Sequence, residues 1–131
     1  MTDPHEAGRD NARPEAVARR HRLDKRTARE NIADLCDADS FLEYGALAIA
    51  AQRSRRAVDD LKRDTPADGL VSGVGRVNSD AFDAATARCV VMSYDYTVLA
   101  GTQGFQNHRK TDRMVDIALR DRLPVVFFTE G

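Results

Sequence analysis

Two largely apolar stretches in the second half of the chain, Thr86–Tyr94 and Leu123–Thr129, constrain its fold more than anything else in it. Both are rich in β-branched or aromatic residues and too short to be independent helices, so both read as buried strands. Between them, Gln106–Asp121 has helical character, and Met114, Val115, Ala118 and Leu119 are expected to face inward. Upstream, Leu70–Val77 reads as another strand. Gly73 and Gly75 interrupt it, which points to a bulge or a close backbone approach. Asn78-Ser79-Asp80 reads as a hairpin-like turn, and Tyr96–Leu99 as an extension of the second strand. The order strand, strand, loop, helix, strand predicts an α/β fold built from β-β-α units. Val125-Val126-Phe127-Phe128 needs cover on both faces if it is a central strand. This leads to the expectation that the sequence is one part of a longer domain.

The first half is more polar. Residues 1–21 are expected to form a poorly ordered tail and the start of a helical arm, and 22–131 a partial domain. Pro14 suits a first helical turn, and the helix it opens is expected to run to Asp24. Thr27 to Glu30 matches a capping box before a second helix ending at Cys36, with Ala28, Ile32 and Leu35 on one face. Arg19, Arg20, Arg22, Lys25, Arg26 and Arg29 read as a solvated helix face balanced by Glu15, Asp24 and Glu30. Ser40–Ala51 mixes strand-favouring and helix-favouring residues. Residues 52–67 read as a mobile surface connection with room for one helical turn, closed by the turn Pro66-Ala67-Asp68-Gly69.

Composition narrows the function. With 20 basic and 21 acidic side chains in 131 residues, no global attraction to nucleic acid or an anionic membrane is implied. No apolar run approaches the roughly 20 residues of a membrane-spanning helix. The polar, acidic first ten residues do not resemble a secretory signal, so a reducing cytoplasm is expected. Cys36 and Cys89 have no metal-ligand spacing, and a disulfide between them is not expected there. His108 and Asp112 would share a helix face but are too few for a metal site. The feature that invites chemistry is Ala100-Gly101-Thr102-Gln103-Gly104, small residues between a strand and a helix, followed by His108, Arg109, Lys110 and Arg113. Such a loop admits close backbone approach by an anion or thioester oxygen. It reads equally as a tight turn with a solvated Lys110.

Several segments, in order, resemble the biotin-dependent acyl-CoA carboxyltransferase family. Arg22-Leu23-Asp24-Lys25-Arg26-Thr27-Ala28-Arg29-Glu30-Asn31-Ile32 resembles its "kLTARERI" opening. Asp37–Gly45 resembles "DpGSFxE", Asp68–Gly75 "DGVVTGYG", and Asp95–Gly104 "DFTVFGGSLG". The likeness runs from about residue 22 to 131. It departs at Ala100-Gly101-Thr102, where the family has "GGS", and at Asn107, which aligns with a family histidine. The resemblance implies a crotonase-like β-β-α superhelix, here incomplete, with a helical N-terminal arm. It implies transfer of a carboxyl group from carboxybiotin to acetyl-CoA, propionyl-CoA or a related acyl-CoA. The coenzyme A thioester is the substrate, and biotin rides on a partner carrier not bound by this segment. A biotin carboxylase or biotin carrier subunit and further copies of the family's own chain are the implied partners. Ala100, Gly101, Thr102, Gly104 and Lys110 are the implied coenzyme contacts. No residue is assigned a catalytic or metal-binding role, because the family's paired glycine amides align beyond Gly131. A related acyl-CoA decarboxylase, or a non-catalytic module docking on a carboxylase subunit, are the alternatives.

Overall fold

The computed structural model describes residues 3, 5–49, 57–98 and 104–130. Its elements in chain order are α1 (Pro14–Arg22), α2 (Ala28–Leu35), β1 (Leu42–Glu43), α3 (Val58–Asp64), β2 (Leu70–Arg76), β3 (Arg88–Tyr94), α4 (Phe105–Asp121) and β4 (Val125–Phe128). The strands form one sheet in the order β1-β2-β3-β4. β1 pairs antiparallel with β2, and β2 antiparallel with β3 from Leu70↔Tyr94 to Arg76↔Arg88. β4 pairs parallel with β3, Val90↔Val125 to Ser93↔Phe128. A parallel neighbour needs a long crossover, and α4 is that crossover. The β-β-α-β order is therefore the crotonase-like arrangement, and it is incomplete in this chain.

Alternation along the strands divides the core into two layers. Leu70, Val74, Val90 and Met92 pack against Met114, Ile117 and Ala118 of α4. Val71, Cys89 and Val91 on the opposite face pack against Ala28 and Ile32 of α2. Glycine at 73 and 75 permits the close approach expected from the sequence. A Cβ on Gly73 would lie 2.1 Å from the Leu42 carbonyl oxygen, and one on Gly75 would lie 2.7 Å from the Cys36 sulfur. Segment 36–42 thus lies directly against the sheet. Cys36 and Cys89 are free thiols, and burial pushes both above the usual thiol range.

α1 starts with Pro14 at its first position. α2 carries the full capping box, Thr27 receiving the Glu30 N–H while Glu30 receives the Thr27 N–H. α1 runs through residue 21, where the sequence suggested a boundary.

Five sequence expectations change. The basic cluster is not uniformly solvated. Arg20 is 6% exposed, gripping Glu130 at 3.1 and 2.5 Å and the Arg26 carbonyl at 3.0 and 3.1 Å, with its guanidinium 5.2 Å from the Tyr96 ring centre. Arg29 makes two bonds to Glu43, and Arg13 binds Asp95 at 2.9 Å. The arm is pinned to the ends of β1, β3 and β4 by guanidinium–carboxylate pairs, whose fork geometry favours Arg over Lys. The described part of 52–67 is not a loose connection either: 58–64 is helical, and Leu61, Thr65 and Pro66 are buried. On α4 the inward face is Asn107, Lys110, Met114, Ile117 and Ala118, whereas Val115 and Leu119 are exposed. Steps of three, four, three and one keep the first set on a single stripe, and two polar members disguise it in the sequence. Finally, β4 is an edge strand, and residues 96–98 form a turn rather than more β3.

Candidate functional site

The start of α4 faces a tight corner between α3 and β2. Ala67, Asp68 and Gly69 all have positive φ, 55°, 47° and 72°. A left-handed conformation costs a non-glycine residue about 1–3 kcal/mol, so something must hold Ala67 and Asp68 there. α4 supplies it. Lys110 is 9% exposed, and its ammonium donates to the Ala67 carbonyl at 2.8 Å and to the Leu70 carbonyl. The Asn107 side-chain amide donates to the Asp68 carbonyl at 3.3 Å. The Asp68 carboxylate accepts the Asn107 backbone N–H at 2.8 Å, capping a helix whose own N-cap, Gly104, has no side chain to do so. A Cβ on Gly104 would come within 2.5 Å of that carboxylate. The Lys110 stem lies against Gly45, whose Cβ would meet it at 2.9 Å.

Burial and charge oppose each other at Lys110. Loss of hydration lowers its pKa to about 8, against the pull of Glu43 and Asp68 and with a small push from Arg29. The folded value lies below the unfolded one. The unfolded chain therefore binds the proton more readily between about pH 8 and 10.5, and the contribution of this group to stability rises with pH across that window. At about 1.4 kcal/mol per pKa unit, the full difference is on the order of 3 kcal/mol. Urea unfolding at pH 7.5 and pH 10 should show the native chain gaining roughly 2–3 kcal/mol relative to Lys110→Met over that interval. Equal pH dependence in both proteins would place the charge in solvent.

Of the residues the sequence singled out, Ala100, Gly101 and Thr102 lie outside the described residues. Gly104 caps α4. Lys110 lies five positions after Phe105, the first residue of α4, and its ammonium is held by two backbone carbonyls, so it is not the solvated charge of the plain-turn alternative. Sequence reasoning took residues 66–69 for a simple turn and passed over Asp68 and Asn107. Asn107 and Lys110, three apart on a helix, share a face, and that spacing was the available signal. Among the described residues, no group of three or more His, Cys, Asp or Glu side chains is placed to hold a metal.

A family model, the carboxyl transferase domain, matches residues 19–131. The chain belongs to the carboxyl transferase domain family. This carboxyl transferase segment is 36% identical over 112 residues to the propionyl-CoA carboxylase beta chain of Saccharopolyspora erythraea, covering 85% of the segment and 18% of that protein. It is 33% identical over 116 residues to the methylmalonyl-CoA carboxyltransferase 12S subunit of Propionibacterium freudenreichii subsp. shermanii, with 88% and 20% covered. The segment thus spans about a fifth of the length of these relatives. Among solved structures, a single-chain, multi-domain long-chain acyl-CoA carboxylase matches at TM-score 0.96 and 64% identity, over 98% of the segment and 13% of that chain. The transcarboxylase 12S hexamer core, with hydrolysed methylmalonyl-coenzyme A bound, matches at TM-score 0.73 and 27% identity, with 89% and 21% covered. No helix among the described residues is long and apolar enough to cross a membrane.

Proposed function

We propose that this chain is the acyl-CoA-side portion of a biotin-dependent carboxyltransferase, and that the strand-to-helix connection leading into α4 contacts the acyl-CoA. The observation that carries this reading is the agreement of 98% of the chain, at TM-score 0.96, with a long-chain acyl-CoA carboxylase. Ala100, Gly101, Thr102 and Gly104 are the proposed contacts, small residues that let backbone amides approach a thioester oxygen or the adjacent pantetheine. Lys110 enters through the corner it holds. Biotin, carried by a partner chain, supplies the carboxyl group, and no described residue is assigned to it. Assembly with a biotin carboxylase or carrier subunit and with further copies of the chain, in the cytoplasm, belongs to the same proposal.

Titrating propionyl-CoA and a long-chain acyl-CoA into the chain tests it. Saturable binding should appear, and Gly101→Val should weaken it at least fivefold with the circular dichroism spectrum unchanged. Wild-type affinity in Gly101→Val would reduce the loop to a connection.

A further inference from the structure

The corner at Ala67–Gly69 is bonded more elaborately than a link between a helix and a strand requires. Two of its three left-handed residues are not glycine. The lysine that clamps it is buried, although lysine is among the residues least often found inside. The Asn107 side-chain oxygen is fully buried and has no hydrogen-bond partner among the described residues. Buried polar atoms are nearly always paired, and the exceptions gather where a structure holds strain for a purpose. A turn that only joined α3 to β2 could take Gly or Asn at these positions and turn its carbonyls to water. Backbone bonds tie the corner to Ala48, Thr65 and Asp95, and its side-chain bonds run to the first turns of α4, the helix capped by Gly104.

Resting on the acyl-CoA reading above, we propose that Asp68, Asn107 and Lys110 are positioning residues that fix where α4 begins relative to β2, and thereby set the geometry of the acyl-CoA contact. Asp68 holds the helix start through the Asn107 N–H. Asn107 and Lys110 hold the corner that carries Asp68. The three form a closed circuit, so loosening one member displaces the others. Charge-assisted bonds are roughly twice as strong as neutral ones, and Lys110 contributes the charge. Within the folded chain the bonds of Lys110 to the two carbonyls are therefore strongest when it is protonated, even though losing the buried charge above about pH 8 stabilises the fold as a whole relative to the unfolded chain. The charged groups facing Lys110 are Glu43 of β1, Asp68 of the corner and Arg29 of α2.

The test is calorimetric titration of propionyl-CoA into the 131-residue chain at pH 7.5 and pH 9.5. Propionyl-CoA is preferred to free coenzyme A, whose thiol would titrate in this range. Affinity of the native chain should fall at least fivefold at the higher pH. Lys110→Met should bind as weakly as the native chain does at pH 9.5, with no pH dependence. Asn107→Ala should bind more weakly than the native chain yet keep its pH profile. A purely structural Lys110 would give a flat native profile, and that result overturns the inference while leaving the acyl-CoA reading in place. Wild-type affinity in a folded Lys110→Met does the same. Absence of propionyl-CoA binding at both pH values overturns the inference and the acyl-CoA reading together. Should Lys110→Met not fold, the native pH profile decides by itself.

Discussion

Decarboxylation of malonyl-CoA or methylmalonyl-CoA by the 131-residue polypeptide, with free biotin or biocytin present, is expected to run at least about a thousandfold below that of a full-length carboxyltransferase subunit. The reasoning is electrostatic. In the resembled reaction, negative charge develops on the thioester oxygen and on the ureido oxygen of biotin. Preorganised backbone N–H groups stabilise that charge in place of water, and loss of one such donor costs about 10²–10³ in rate. The resemblance implies that the family's paired glycine amides align after the position of Gly131, so the 131-residue polypeptide is expected to act without them. The segment spans 18–20% of its sequence relatives. Under the proposal above, the corner at Asp68 and the start of α4 would position one side of an acyl-CoA, but positioning alone does not replace such donors. The comparison to make is with the full-length propionyl-CoA carboxylase beta chain of Saccharopolyspora erythraea under the same assay. A rate within tenfold of that protein would show that the polypeptide carries a competent oxyanion site of its own.

Leu61→Ala is expected to destabilise the chain by about 2–5 kcal/mol, the usual range for removing a fully buried leucine side chain. Leu61 is 0% exposed and is the buried anchor of α3, a helix of only seven residues. So short a helix does not persist without tertiary contacts. The cavity left by alanine would loosen α3 together with the turn after it, where the Thr65 hydroxyl donates to the Leu61 carbonyl at 2.6 Å. Ala67 and Asp68 follow directly, so the loss should spread to the left-handed corner. Urea denaturation checks the magnitude. Amide exchange checks the spread, with protection lost first at Asp68 and Gly69. A change below about 0.5 kcal/mol, the usual size for exposed sites, would mean that residues 58–64 are the loose connection the sequence suggested.

The contrast at Leu61 shows where sequence reading ran out. Lys62, Arg63 and the aspartates around Leu61 are what the eye meets in that stretch, and a single buried leucine among five charged residues and Val58 gives no periodic signal. Where the physics is local, the sequence was clear. Pro14 at a helix start, the Thr27–Glu30 box and the glycines at 73 and 75 each impose geometry on their own neighbours, and all three are present. β2, β3 and β4 were legible to within two residues at each end, the expected extension of β3 past Tyr94 apart, because apolar β-branched runs have few other uses, whereas β1 was lost in the mixed stretch Ser40–Ala51. Long-range polar pairing was not legible. Arg20 finds Glu130 across 110 residues, and Lys110 finds Ala67 across 43. Both side chains read as surface charges because Arg and Lys mostly are. The α4 face failed for the same reason: with Asn107 and Lys110 scored as outward, Val115 and Leu119 were drawn inward. Asp68 could not be recognised as a helix cap, because the helix it caps begins thirty-seven residues later.

The most direct measurement is a two-dimensional ¹⁵N–¹H titration of the labelled chain with propionyl-CoA. If the approach to α4 is the acyl-CoA face, and if Asp68, Asn107 and Lys110 hold it, the backbone amides of Gly104–Lys110 and of Asp68–Leu70 should shift together along one saturable curve. The amides of α2, which packs on the opposite face of the sheet from α4, should stay in place. Shifts confined to α1 or to the exposed side of β4, with Gly104, Asn107 and Asp68 unmoved at saturation, would contradict the account.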